Sequence, residues 1–121
     1  MVFHRAMSNA LIPTLRAILT DLATERRTIP YLELALAAGM TPPHTIHRLT
    51  EALEQMIRED HAANRPLLAA LATRKAGDMP GRGFFLLLAE LGRYDGSPDG
   101  ADAARHHAAL LHEAFDHWGK P

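Results

Sequence analysis

The residues best equipped for chemistry in this chain are its eight histidines. His44 and His47 stand three apart, a spacing that can put two imidazoles on one helix face as a metal site would need. His112 and His117, in "HEAFDH", are five apart. The zinc-protease motif instead needs four, with a glutamate between. No third ligand accompanies either pair, so we expect no metal site. Glu113 with His117 and Asp102 with His106 are four apart, a spacing that would let a carboxylate orient an imidazole for proton transfer. On an exposed helix such pairs contribute only tenths of a kcal/mol, and no cofactor or enzyme activity is expected from them. His107 falls on an apolar stripe, where a hydrogen-bonded core histidine is the simpler reading. There is no cysteine, which removes thiolate nucleophiles, disulfides and cysteine-based metal centres together.

The run "RPLLAALATRKAGDMPGRGFF", Arg65 to Phe85, offers a second kind of chemistry. A phosphate-cradling P-loop closes on lysine and serine or threonine, whereas Gly83 is followed by Phe84 and Phe85. Two readings stay open. The loop is a wing whose Arg74, Lys75 and Arg82 meet nucleic-acid phosphates, or it is a turn whose glycines allow positive φ and whose phenylalanines plug the core.

Composition bounds both. The 121 residues suit one domain, 47% are hydrophobic and 22% are charged, and the formal net charge is −1. This balance counts against tight non-specific DNA binding and does not exclude a local basic face. No apolar run approaches the roughly 20 residues that cross a bilayer, and "MVFHRAMSNALIPTL" lacks a secretory pattern. A cytoplasmic location fits these features.

The elements that must position these groups are mostly helical. Leu11, Ile12, Leu15, Ile18, Leu19 and Leu22 form one stripe, predicting a helix capped by Ser8 or Asn9, with Pro13 near its first turn and an end near Arg26. "RTIP" reads as a short extended link. "YLELALAAG" predicts a short helix stopped at Gly39. "TPPHTIHRLTEALEQMIREDHAA" predicts a helix capped by Thr41 with Pro42 at its first position. Its core face is Ile46, Leu49, Leu53, Met56 and Ile57, and its outer face is His44, His47, Arg48, Glu51, Gln55 and Arg58. Leucine and alanine in "PLLAALATR" favour helix, but its length between Pro66 and "KAGDMPGRG" suits a strand, the assignment taken here. "FFLLLAELG" predicts a buried helix. A final helix from about Pro98 to Trp118 is expected to bury Ala104, His107, Ala108, Leu111, Phe115 and Trp118. That leaves Leu110 and Ala114 as surplus apolar surface for a dimer or another protein, unless the helix simply packs across the open side of the domain.

Two short helices around a glycine turn describe a helix-turn-helix. With Tyr31, Leu34, Ala35 and Gly39 in "TIPYLELALAAG", the segment resembles the opening of the helix-turn-helix in DNA alkylguanine alkyltransferases and alkyltransferase-like proteins. The resemblance covers roughly Leu11 to Gly92. It implies a winged-helix-like core over 8–92, one or two short strands, and an added C-terminal helix over 98–118. The family's Pro-Cys-His-Arg motif is replaced by Pro66, Leu67, Leu68 and Ala69, so the resemblance does not extend to alkyl transfer. The family also inserts an arginine from its recognition helix into DNA, for which His47, beside Arg48, is the nearest match. "GDMPGRGFF" is further similar to a bacterial family of the same layout. The expectation is a non-enzymatic DNA-binding or DNA-associated module with Tyr31, His44, Thr45, His47 and Arg48 near the duplex and Arg74, Lys75 and Arg82 on phosphates. The alternative is a protein-interaction module, contacting itself or another protein, that has lost the DNA face.

Overall fold

The computed structural model describes residues 2–120, with side chains from Ala10 onward. Among these are five α-helices and a two-stranded parallel sheet: α1 (Val2–Thr24), β1 (Ile29–Pro30), α2 (Tyr31–Ala37), α3 (Thr45–Ala62), β2 (Ala72–Thr73), α4 (Arg82–Glu90) and α5 (Gly100–Trp118). Ile29 pairs with Ala72 and Pro30 with Thr73. No described helix is long and apolar enough to cross a membrane.

The centre of the fold is the run after Pro66. Leu68–Leu71 is a 3-10 turn rather than the start of a strand, and strand pairing is confined to Ala72 and Thr73. Leu67 to Ala72 are all buried, and α1, α3 and α5 pack around them. The helix preference of leucine and alanine thus prevails for one turn. Burial between three helices then leaves no room to extend it, and the two alanines allow close approach.

The stripe on α1 packs as its periodicity requires, with Leu15, Leu19 and Ala23 fully buried. The helix begins earlier than its sequence suggests, so Ser8 and Asn9 are interior backbone positions, and their side chains lie outside the described residues. Pro13 therefore sits inside the helix, on its exposed side. Water there can satisfy the carbonyl that proline's missing amide leaves unpaired.

Gly39, at φ +77°, ends α2 as its position predicts, and the Met40 amide donates back to the Ala35 carbonyl at 3.0 Å. The start of α3 differs. It begins at Thr45, after a cis Pro42–Pro43 bond and with His44 in the left-handed region at φ +55°. Neither Thr41 nor Pro42 is therefore helical, and Ile46 in the first turn is 40% exposed instead of buried. Further along, Leu49, Ala52, Leu53, Met56 and Ile57 form the core face.

On α5 the buried stripe is Ala103, His107, Leu110 and Ala114, while Ala104 and Ala108 are exposed. An alanine-rich helix is compatible with more than one roll about its axis, and hydrogen bonds choose here. The His107 Nε2 meets the Ala70 carbonyl at 2.9 Å, and the Trp118 indole N–H donates to the Pro66 carbonyl at 2.9 Å. Leu110 and Ala114, expected as surplus surface, are thereby inside. The large exposed apolar side chains are Leu32, Leu36, Ile46 and Leu86.

One charged group joins these layers. Asp60 is fully buried near the end of α3. Its carboxylate accepts from the Arg65 Nε at 3.1 Å and the Leu68 backbone amide at 3.3 Å, and it pairs with Arg16 of α1 at 3.1 Å. Both guanidiniums also lie over the Trp118 ring, 5.9 and 5.4 Å from its centre.

Candidate functional site

Helix α3, the glycine turn and the start of α4 enclose a cleft of about 390 Å³. Its floor is apolar, from Leu53, Ile57, Ala69 and Phe84. Position in the helix explains the wall above it. His47, Thr50, Glu51 and Glu54 recur every three or four residues, so they share one face of α3. His47 Nε2 lies 3.1 Å from Glu51 Oε1.

Tyr31, the first residue of α2, closes another side. Its hydroxyl accepts a 2.7 Å hydrogen bond from the Gly81 amide, tying α2 to the glycine turn. Burial pushes the phenol pKa up, and the Gly81 bond and the nearby Arg74 charge only partly oppose it. Tyr31 is therefore neutral at physiological pH and serves as a positioning contact at the cleft wall.

The turn itself is shaped by its backbone. The Arg74 amide donates to the Met79 carbonyl at 2.7 Å, and Gly77 and Asp78 take positive φ. Phe84 and Phe85 then enter the core in an edge-to-face contact at 5.2 Å. The two strands are parallel, and no strand returns after β2 to make a hairpin among the described residues. The backbone of this loop is a turn with an aromatic plug, and its Arg74 and Lys75 side chains are exposed.

The eight sequence-predicted residues divide into groups. Tyr31 and His47 line the cleft, and Arg74 lies within electrostatic reach of Tyr31. His44, Thr45 and Arg48 form the N-terminal turn of α3. The Arg48 side chain is exposed but turned back, its Nε donating to the Pro43 carbonyl at 3.1 Å and its Nη2 to the Thr41 carbonyl. It therefore clamps the loop that carries the cis bond. Arg82 is bound to Asp99 at 2.7 Å. Arg74 and Lys75 are exposed and take part in no ion pair among the described residues.

Glu54 and Phe84 were absent from the sequence-based site, although the 47–50–51–54 spacing shows that Glu54 shares a face with His47. The carboxylate–histidine pairs proposed on α5 are dispersed. Asp102 pairs with Arg105, His106 stacks on Tyr94 at 4.7 Å, and His117 meets the edge of Trp118. Burial lowers the His107 pKa, against the opposing effect of its Ala70 bond. Among the described residues, no three histidine, aspartate or glutamate side chains converge as a metal would require. Comparisons with protein-family models, curated proteins and solved structures return no match.

Proposed function

We propose that the protein is a non-enzymatic, DNA-associated module related in layout to the winged-helix core of alkyltransferase-like proteins. The N-terminal turns of α3 form its contact tip. The observation that carries this reading is the position of Arg74 and Lys75. They are exposed cations with no ion-pair partner among the described residues, and Arg74 lies within electrostatic reach of Tyr31, which lines the same cleft as His47 in the first turns of α3. Exposed cations at such a tip bind phosphate and release counterions.

Glu51 and Glu54 repel phosphate from the cleft, so the backbone contacts fall to Arg74 and Lys75, with the exposed Arg48 of the first turn of α3 as a third. Arg82 contributes less, because Asp99 neutralises it. Two or three phosphate contacts predict modest affinity with a salt slope of about −2 to −3.

The test is a fluorescence-anisotropy titration of duplex DNA across a salt series. Arg74→Ala with Lys75→Ala should weaken binding for any sequence and flatten the slope by about 2. A dissociation constant no tighter than about 1 mM at low salt, or an unchanged slope in the double variant, would overturn the proposal.

A further inference from the structure

The cleft beneath that tip has its own charge pattern. Its mouth carries two carboxylates, Glu51 and Glu54, one helical turn apart. Glu51 has only the His47 imidazole as its ionic partner, and Glu54 has none among the described residues. Arg58, one turn further along α3, is bound to Glu90 at 2.7 Å and so does not reach back. With His47 neutral the two carboxylates outnumber Arg74, the cation within electrostatic reach of Tyr31, and the mouth is negative. Below it lie Leu53, Ile57 and Ala69, with the rings of Phe84 and Tyr31 beside them. The volume of about 390 Å³ is in the range of small-molecule sites.

We propose that this cleft is a binding site for a small organic ammonium with a flat apolar body. The body rests on Leu53, Ile57 and Phe84, where it removes apolar surface from water. The ammonium stays at the mouth between Glu51 and Glu54, where the two carboxylates favour positive charge. An anion is disfavoured by the same two carboxylates, and a neutral apolar ligand leaves them without a partner. This site shares Tyr31 and His47 with the DNA reading but uses neither Arg74 nor Lys75, so the Arg74 and Lys75 variants that test that reading leave it intact.

The test uses 2-phenylethylammonium as the probe, with 2-phenylethanol and 3-phenylpropionate as neutral and anionic controls. Binding is followed by amide chemical shifts in the full chain. The expected result is saturable binding near about 1 mM, ordinary for so few atoms, with shifts confined to Tyr31, Thr50, Gly81 and Gly83. Replacing both carboxylates, Glu51→Gln with Glu54→Gln, should weaken the ammonium by about tenfold and leave the weak binding of the alcohol unchanged. Both side chains are exposed, so the variant should fold, which its amide spectrum verifies directly. The proposal is overturned if the alcohol binds as tightly as the ammonium, if the double variant binds the ammonium unchanged, if shifts cluster elsewhere, or if none saturate by about 10 mM.

Discussion

Replacing Asp60 with alanine tests how the layers of the fold are joined. The carboxylate is fully buried and serves Arg16, Arg65 and the Leu68 amide together. Removing one partner of a buried ion pair costs about 3–5 kcal/mol, because the charges left behind lose their compensation. Two features place this case at the low end. The Arg16 and Arg65 side chains keep 21% and 40% of their exposure, so water can reach both guanidiniums, and Arg16 retains Glu59 at 3.0 Å. The Leu68 amide has no such recourse, and an orphaned buried donor alone costs about 1–3 kcal/mol. We therefore expect Asp60→Ala to lower stability by about 3 kcal/mol. The assay is urea unfolding followed by fluorescence of Trp118, the single tryptophan, which lies under both guanidiniums and so reports on the cluster itself. The midpoint should fall with the slope unchanged. A loss below about 1 kcal/mol would refute the reasoning, since it would mean that Asp60 is not the bond between α1, α3 and the central turn.

Two further outcomes follow from close packing and burial. A Cβ on Gly119 would stand 2.5 Å from the carbonyl oxygens of both Ala23 and Phe115. Because backbone cannot yield as a side-chain tip can, Gly119→Ala should cost about 1–3 kcal/mol by thermal unfolding, and an unchanged melting temperature would contradict the contact between the ends of α1 and α5. His107 has a folded pKa below its unfolded value, so the unfolded chain binds the extra proton. Stability from this group is therefore complete above about pH 6.5 and declines as pH falls through the folded pKa. Urea midpoints measured from pH 7.5 to 5 should show that decline, and His107→Leu, though less stable throughout, should show a flatter profile across the same interval.

What the chain determined by itself is its helices and where some of them stop. Apolar residues three and four apart require a stripe to be buried whatever covers it, and Gly39 ends α2 because it alone takes positive φ without strain. His107 could be read as a core histidine for the same reason of spacing. Asp60 was open to a similar inference, since it continues the 49–53–56–57 stripe, but its partners come from α1 and from the Pro66 turn, and a periodicity contains neither. The remainder depended on tertiary contacts. "PLLAALATR" has one propensity and a length that suits another element, and only its enclosure by three helices makes it a 3-10 turn. The roll of α5 was undetermined because alanine packs on any side, until the carbonyls of Pro66 and Ala70 accepted from Trp118 and met His107. The cleft, too, is a property of the assembled molecule. Glu51 and Glu54 read as a solvated helix face in one dimension, and they become the mouth of a site only when the Gly81 turn, held by Tyr31 from fifty residues away, closes over the apolar floor.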